Sequence, residues 1–313
     1  MKANRFKAIG VLLLSCSLAS CLKKADTGPT VNGSSTVEEI IKNAGALSIW
    51  NAALEKTGLD STLNGPGPFT VLLATDISCS NDGFSEAYIN SLSAEKLDTL
   101  LKYAIIPANY PALNFPAGPN APIITAGGDS IFVTSTYKGI FINGIPITQA
   151  DVTGSNGVIH ALYYPLVPPS GNLWQLVAAD SSFSFFQAAV TKAANANADI
   201  QSMLTTEGIH TLFAPTNNAF RGAGYATMDS VMNAPADSLA KLVTYHMLNG
   251  RTFTSDFTQG LEVATVNGET IILSPDGYAS VAGKNSTGWS RILAGNILAR
   301  NGVFHKIDGL LLP

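Results

Sequence analysis

The sequence Asn156-Gly157-Val158-Ile159-His160 returns almost unchanged as Asn301-Gly302-Val303-Phe304-His305, and this pair of pentapeptides decides the organisation of the chain. Their histidines are 305 − 160 = 145 residues apart. Solenoid repeats are much shorter, about 20–50 residues, whereas a spacing of this size is that of a whole domain. The chain is therefore predicted to contain two copies of one domain, each with its own hydrophobic core.

The segments upstream of each pentapeptide follow one order in both copies: an amphipathic helix, an apolar strand, a second helix and a β-rich stretch. The first helix begins after Thr36 or Asn172, each of which stands three residues ahead of a glutamate or glutamine, as a capping residue does. The strands and second helices are predicted at residues 69–76 and from Ser93 in the first copy, and at residues 210–217 and from Pro235 in the second. This common order indicates tandem domains.

Three blocks of the second copy resemble fasciclin-like domains. They are TLFAPTNNAF at 211–220, the pair Tyr245-His246, and NGVFHKIDGLLLP at 301–313, and they occur in the order expected for that family. The first copy is more divergent. It reads TVLLATDISC at 70–79, has Tyr103-Ala104 in place of the tyrosine–histidine pair, and lacks an Ile-Asp-Gly after its pentapeptide.

The resemblance covers roughly residues 35–313 and carries expectations for fold and function. It implies an α+β fold, with each domain a β-sandwich-like wedge flanked by helices. It also implies adhesion at the cell surface or in the matrix, without catalysis and without a cofactor. The candidate adhesion or structural motif comprises Tyr245, His246, Asn301, Gly302, His305, Asn156, Gly157 and His160.

The N-terminus has the features of a secretory signal. Lys2, Arg5 and Lys7 precede a short apolar run, and Leu18-Ala19-Ser20-Cys21 resembles the bacterial lipobox, whose cysteine carries acyl groups such as palmitate. The alternative is ordinary signal cleavage beside a chance cysteine. Lipidation of Cys21 predicts a partner, the membrane, and a location in the cell envelope, at the outer membrane of a Gram-negative bacterium.

The predicted organisation follows from these features: a lipoprotein signal peptide at 1–20, a flexible tether at 21–35, the divergent first domain at 36–168 and the second domain at 171–313. The tether is polar and rich in Gly and Ser. Residues 165–172, PLVPPSGN, form a short, stiff linker. Fragments 35–166 and 171–313 are each expected to unfold cooperatively.

Composition restricts the function classes. Without residues 1–20, the chain has 15 basic and 22 acidic residues, a net charge of −7, and no basic cluster, so nucleic acid is not an expected partner. The expected partner is a surface protein or a polysaccharide. Cys79 is the only cysteine after Cys21, so an internal disulfide is impossible, and we expect Cys79 to be a small buried apolar residue.

The four histidines, at 160, 210, 246 and 305, do not form the spacing of a metal site, and no catalytic sequence motif is present. His160 and His305 close the repeated pentapeptide and are interpreted as polar anchors of a buried loop; the rival interpretation is an enzyme that uses one of them. His246 is predicted to face the core or to be half-buried, because the equivalent residue of the first copy is Ala104.

Turn residues predict one long loop and two hairpins. Residues 106–124 contain five prolines and are predicted to be an extended loop. Asn267-Gly268 predicts a β-hairpin, and Asn143-Gly144 a weaker one in which Pro146 favours an edge strand.

The leading hypothesis is a lipid-anchored, non-enzymatic surface protein that acts in adhesion or matrix interaction. The alternative is a glycan- or polymer-binding accessory of an outer-membrane uptake system. In that case exposed aromatic side chains would stack on sugars. The candidates for this stacking are Tyr110, Phe115, Tyr137 and Tyr278.

Overall fold

The computed structural model describes residues 34–206, 208–275 and 279–313. The predicted signal peptide, the lipidation of Cys21, nearly all of the tether and Tyr278 lie outside the described residues. Within the described part of the chain, no helix is both long and apolar enough to cross a membrane.

The first copy consists of short helices and a seven-stranded sheet. The helices are α1 (Val37–Asn43), α2 (Ser48–Thr57), α3 (Leu59–Leu63), α4 (Asp76–Asn81), α5 (Glu86–Ser91) and α6 (Ala94–Tyr103). The strands are β1 (Phe69–Ala74), β2 (Ile105–Ile106), β3 (Gly118–Ile124), β4 (Ser130–Thr136), β5 (Gly139–Ile142), β6 (Ile145–Gly154) and β7 (Gly157–Leu162). Their order in the sheet is β2-β1-β7-β6-β5-β4-β3.

The second copy repeats this architecture. Its helices are α7 (Leu173–Ala178), α8 (Ser184–Ala193), α9 (Asp199–Thr205), α10 (Asn217–Gly222), α11 (Met228–Met232) and α12 (Ala236–Tyr245). Its strands are β8 (His210–Pro215), β9 (Met247–Asn249), β10 (Leu261–Ala264), β11 (Thr270–Ser274), β12 (Ser280–Gly283), β13 (Ser290–Ala299) and β14 (Gly302–Ile307). The order β9-β8-β14-β13-β12-β11-β10 matches that of the first copy strand for strand. The predicted α+β fold is confirmed.

In both copies the pentapeptide strand lies inside the sheet. β7 runs parallel to β1, and β14 runs parallel to β8, while the other neighbouring strands are antiparallel. β6 and β13 are long and carry register shifts at matching places, between Ile147 and Val152 in one and between Ile292 and Ile297 in the other. The bulges bend these strands, and bending of this kind closes a sheet toward a barrel.

Capping explains where the first helix of each copy begins. Thr36 and Asn172 accept the backbone N–H of Glu39 and Gln175, and the side chains of those two residues return a bond to the cap backbone. Both capping boxes were predicted from spacing and are confirmed. The helices then pack one apolar face on the sheet, and the faces of α6 and α12 are fully or almost fully buried: Leu97, Leu100, Leu101, Leu239, Leu242 and Val243.

The two copies pack against each other, and the described residues fall in one compact unit. Phe253 of the second copy belongs to a buried cluster made mostly of first-copy side chains, and its ring lies 6.3 Å from that of Phe132. The Asp256 carboxylate accepts hydrogen bonds from Asn120 Nδ2 at 2.9 Å and from Thr134 Oγ1 at 3.2 Å. Separate cooperative unfolding of the two fragments stays a prediction, and fragment 171–313 would expose Phe253 to water.

The proline-rich segment 106–124 is not simply an extended loop, as its five prolines predict. It contains a 3₁₀ turn at Ala112–Asn114 and then β3, and the second copy has the equivalent turn at Thr254–Asp256. The prolines of β3 are tolerated because this strand lies at the edge of the sheet, where a missing N–H costs no interstrand bond.

One hairpin is as predicted and the other differs in position. Asn267-Gly268 does join β10 to β11. Asn143-Gly144 also forms a turn, with both residues at positive φ, but Pro146 lies in β6, an interior strand and not an edge strand. Pro146 has no N–H to donate, but its carbonyl accepts the N–H of Tyr163 at 3.1 Å, so one bond to the neighbouring chain segment is kept.

Candidate functional site

The asparagine of each pentapeptide ties the start of an interior strand to the first helix. Asn156 Oδ1 accepts the N–H of Val37 at 2.9 Å, and its Nδ2 donates to the carbonyl of Leu63 at 2.7 Å. Asn301 repeats this pattern with the N–H of Leu173 at 2.9 Å and the carbonyl of Met203 at 3.2 Å. The side chain thus satisfies backbone groups that a helix end leaves without partners.

The glycine of the pentapeptide allows two backbones to touch. A Cβ on Gly302 would lie 1.8 Å from the carbonyl oxygen of His210, and one on Gly157 would lie 2.2 Å from that of Phe69. No side chain fits at these distances, because the parallel partner strand occupies the space. Gly157 and Gly302 are therefore needed for pairing of β7 with β1 and of β14 with β8.

The histidine of each pentapeptide joins a loop to a bulge. His160 Nε2 donates to the carbonyl of Tyr110 at 2.8 Å, and its Nδ1 accepts the N–H of Asp151 at 3.2 Å. His305 makes the same two bonds, to the carbonyl of Thr252 at 2.9 Å and from the N–H of Asn296 at 3.3 Å. Each ring is thereby a neutral imidazole protonated on Nε2.

The two bulge residues explain why a histidine is useful here. Asp151 and Asn296 have φ values of 61° and 60°, a left-handed conformation that costs free energy for residues other than glycine. The imidazole of His160 or His305 accepts the N–H that this conformation turns out of the strand ladder. Each histidine therefore stabilises a bend in the longest strand of its sheet.

Burial keeps these imidazoles uncharged. Both side chains are inaccessible to solvent. Desolvation lowers the pKa of His305 to about 4 and also lowers the pKa of His160. Each ring contacts a phenylalanine: Phe213 lies stacked on His305, with centroids 5.2 Å apart, and Phe115 lies 5.4 Å from His160. Both ring nitrogens are bonded to backbone, and neither is directed at a hydroxyl or thiol nucleophile.

His305→Ala is expected to destabilise the second copy by on the order of 1–3 kcal/mol, because a buried carbonyl and a buried N–H lose their partner. His160→Ala is expected to do the same to the first copy. Hydrogen exchange measured by mass spectrometry locates each effect: protection should fall around β13 and β14 in one variant and around β6 and β7 in the other. Unchanged exchange in both variants, with loss of some turnover, would support the enzyme interpretation instead.

The tyrosine–histidine pair at the end of α12 is buried as a unit. The Tyr245 hydroxyl donates to the carbonyl of Thr270 at 2.7 Å and accepts the N–H of Lys284 at 2.9 Å. Tyr103 reaches the equivalent strand of the first copy, donating to the carbonyl of Ser130 at 3.2 Å. In each copy the tyrosine thus joins the second helix to the far strands of the sheet.

His246 has its own pair of backbone partners. Its Nδ1 donates to the carbonyl of Leu242 at 2.8 Å, and its Nε2 accepts the N–H of Leu311 at 3.0 Å. The ring is fully buried, and desolvation lowers its pKa to about 4. The predicted core-facing position is confirmed. The first copy, which has Ala104 there, omits this connection to the C-terminal segment.

The comparison with protein families decides the classification of the chain. The family model described as the fasciclin domain matches twice, over residues 45–168 and 181–313. The chain belongs to the fasciclin family. It contains two tandem fasciclin domains, each a barrel-like sheet with flanking helices.

Relatives of the fasciclin chain include bacterial and animal proteins. Protein sll1483 of Synechocystis is 34% identical over 140 residues, which are 44% of this chain and 72% of that protein. Human periostin is 28% identical over 197 residues, 59% of this chain and 22% of periostin. Rabbit (Oryctolagus cuniculus) transforming growth factor-beta-induced protein ig-h3 is 26% identical over 270 residues, 80% of this chain and 35% of that protein. The chain thus spans about a fifth to a third of the two animal proteins.

A solved structure of a fasciclin (FAS1) domain pair, from the insect cell adhesion molecule fasciclin I, is also similar. The match covers 86% of this chain and 97% of that one, with 16% sequence identity and a TM-score of 0.41.

Several residues that hold the fasciclin domains together were not identified from the sequence. Thr70 Oγ1 donates to the carbonyl of Ala108 at 2.7 Å and accepts the N–H of Tyr110 at 2.8 Å, and Thr211 makes the equivalent two bonds at 2.8 Å each. The signal that could have found them is alignment of the two copies, which places threonine at the second position of both β1 and β8.

The aromatic candidates for sugar stacking differ in exposure. Phe115 is buried, so its predicted exposure is wrong; it packs between Tyr110 and His160 in the loop that the histidine anchors. Tyr110 is half-buried, and Tyr137 is 91% exposed. Cys79 is buried as predicted, and burial raises the pKa of its thiol to about 12. Among the described residues, no cluster of three or more His, Cys, Asp and Glu side chains could hold a metal ion.

Proposed function

We propose that this fasciclin protein is a non-enzymatic, lipid-anchored surface protein that acts in adhesion or matrix interaction. The observation that carries the proposal is the use of the repeated motif. Asn156, His160, Asn301 and His305 form hydrogen bonds with backbone groups of their own domain. Because these side chains are bonded within the domain, they stabilise the scaffold. A partner would then be recognised by exposed residues on the surface of that scaffold.

The electrostatic state of the histidines supports the same proposal. A general base needs a pKa near the working pH and a reacting proton within hydrogen-bond reach. His246 and His305 have pKa values of about 4, and their nitrogens face carbonyl and N–H groups at 2.8–3.3 Å. Membership of the fasciclin family also supports an adhesive role, which is what the resemblance of the three sequence blocks implied.

Adhesion is tested by expressing the full chain in a non-adherent Gram-negative host. Cells are allowed to settle on a lawn of the same host, on collagen and on fibronectin, and those retained under flow are counted. We expect more retained cells on at least one surface than for the host without the chain, and the same gain for His160→Ala cells at matched surface amounts. No gain on any of the surfaces would contradict the proposal.

Lipidation is the proposed means of attachment. Cys21→Ser is expected to move the protein from the membrane fraction to the soluble fraction, because the thiol that carries the acyl groups is lost and acyl chains bind at about 0.8 kcal/mol per buried CH₂. The measurement is fractionation followed by immunoblotting, with Cys16→Ser as the matched control. A Cys21→Ser protein that stays in the membrane fraction at the wild-type level would contradict the anchor.

A further inference from the structure

The two fasciclin domains differ sharply just after the pentapeptide strand. In the second domain Asp308 accepts the N–H of Arg291 at 2.7 Å and its Nε at 2.8 Å, and Gly309 lies where a Cβ would be 2.3 Å from Ser290 Oγ. A charged pair and a glycine therefore close this corner of the domain. The bonds are those of an exposed ion pair, which folding can do without.

The first domain places two tyrosines at the same corner. The backbone is unchanged, since the N–H of Tyr163 bonds to the carbonyl of Pro146 at 3.1 Å, as that of Asp308 bonds to Arg291 at 3.1 Å. The side chains of Tyr163 and Tyr164 are 52% and 42% exposed and stand edge to face with centroids 4.7 Å apart. The second domain shows that the fold does not require these rings here, and exposed tyrosines are among the residues that dominate protein interfaces.

Tyr164 lies at a cleft of about 700 Å³ between the two domains. The hairpin 143–146 and the linker 164–170 form one side, and β13 forms the other. Leu293 of β13 is 54% exposed toward this cleft, and the first domain has the polar Thr148 at the equivalent register position. Val167 and Ile297 add further exposed apolar surface. Each domain thus departs from its copy by adding an apolar side chain to this one cleft.

The polar groups of the cleft indicate the kind of ligand. Asn143 donates to the Tyr103 hydroxyl and accepts the N–H of Phe132, and Asn296 is bonded to Thr254 and to the carbonyl of Gly144. Each polar atom of the two amides already has a partner within the protein, and Asn143 is buried, so these side chains are not free groups for the many hydroxyls of a sugar. An apolar lining with few free polar groups favours apolar side chains over a glycan.

Asp82 supplies a charge at the edge of the cleft. Within the described part of the chain its carboxylate makes no ion pair, and the described ion pairs are Lys102–Asp98, Arg291–Asp308 and Lys306–Asp180. The whole first domain, residues 36–168, has 11 acidic and 5 basic residues, a net charge of −6. A ligand with a basic side chain would complement both the local and the overall charge.

We infer that the cleft between the fasciclin domains binds an extended peptide segment of a partner protein, with apolar side chains on either side of one arginine or lysine. Tyr164 and Leu293 pack against the apolar side chains, and Asp82 pairs with the basic one. The inference deepens the proposed function and rests on it, because an adhesion protein needs a recognition surface. Binding of a peptide to purified protein is measured separately from the retention of cells.

The test begins with a displayed library of random linear 12-residue peptides, selected on the purified chain. The most enriched peptide is then synthesised with a fluorophore, and its Kd is measured by anisotropy. The variants are Tyr164→Ala and Leu293→Thr, because both side chains are exposed. Threonine is expected to be tolerated in place of Leu293, since the first domain has Thr148 at the equivalent position. Tyr137→Ala is the matched control, because that tyrosine is 91% exposed and does not line the cleft.

We expect the enriched peptides to carry a basic residue between apolar ones. Each cleft variant should weaken binding about tenfold, the effect of losing one central interface contact of about 1.4 kcal/mol, and Tyr137→Ala should leave Kd unchanged. Asp82→Asn should weaken binding and reduce its dependence on salt. The inference is overturned if no peptide is enriched, or if the enriched peptide binds the cleft variants as tightly as the wild type. It is also overturned if the wild-type chain binds a glycan on an array and Tyr164→Ala abolishes that binding. Cell retention that persists with Tyr164→Ala would overturn the cleft while leaving adhesion intact.

Discussion

Replacing Gly302 with alanine is expected to destabilise the second fasciclin domain by roughly 3 kcal/mol or more. The added Cβ would lie 1.8 Å from the carbonyl oxygen of His210 and 3.2 Å from Leu173 Cδ1. Backbone cannot move aside as a flexible side chain can, so β14 and β8 must separate. That separation breaks the parallel pairing inside the sheet and strains the anchors made by Asn301 and His305.

Chemical denaturation followed by circular dichroism measures the effect, with Gly222→Ala as the matched control. Gly222 ends α10, has no atom within 4 Å of the position that a Cβ would take and has no positive φ, so alanine is expected to change stability by less than about 1 kcal/mol there. Gly157→Ala should repeat the large loss in the first domain. If Gly302→Ala unfolds at the wild-type denaturant concentration, the close approach of the two strands is not needed for stability.

Acidification is expected to destabilise the second domain strongly between pH 6.5 and pH 4. His246 and His305 have pKa values of about 4 in the folded protein, against 6.5 for an exposed histidine. Between these two pH values the unfolded chain binds protons that the folded chain does not. The contribution of the two neutral histidines to the free energy of unfolding is therefore fully present above pH 6.5 and is lost as the pH decreases toward 4. The loss is on the order of 3 kcal/mol for each histidine, because one pKa unit corresponds to about 1.4 kcal/mol.

The pH dependence of the unfolding free energy tests this expectation. His246→Ala introduces the residue that the first domain has at this place, Ala104. The variant lacks one of the two histidines that take up a proton when the second domain unfolds. Its slope near pH 5 should therefore be smaller than that of the wild type by about 1.4 kcal/mol per pH unit, whatever the change in absolute stability. An identical slope in the two proteins would show that His246 is protonated equally in the folded and unfolded states.

Duplication made much of this fold accessible from the sequence. A motif repeated after 145 residues identified two domains, and the capping residues Thr36 and Asn172 located the start of the first helix in each copy. The helical faces of α6 and α12 followed from apolar periodicity, as did the buried position of His246. Apart from the repeat itself, these features are local, and each depends on residues within a few positions of one another.

Features that depend on pairing between distant strands could not be predicted in the same way. Pro146 indicated an edge strand, yet the hairpin and the bond from Tyr163 place it inside the sheet. Phe115 looked exposed in a proline-rich loop, but the 3₁₀ turn directs it onto His160. The partners of His160 and His305 lie 9 residues away on one side and 50 or more on the other, so periodicity carried no information about them.

The cleft between the domains illustrates the same limit for function. The sequence shows that the first domain has Tyr163-Tyr164 where the second domain has Asp-Gly. A role of these tyrosines in binding, however, depends on which residues face them across the cleft. Only the packing of the two domains brings Leu293 and Tyr164 to one cavity. The contacts of Asp256 with Asn120 and Thr134 hold the domains in this arrangement.

The protonation states of His160, His246 and His305 test most directly the claim that the motif is structural. Two-bond ¹⁵N–¹H correlation spectra of the labelled protein distinguish the two neutral tautomers from the imidazolium ion. At pH 7 we expect neutral rings protonated on Nε2 for His160 and His305, and on Nδ1 for His246, with no titration of His246 or His305 until the pH approaches 4. Rings of His160 and His305 that titrate near pH 6.5, as exposed histidines do, would contradict it.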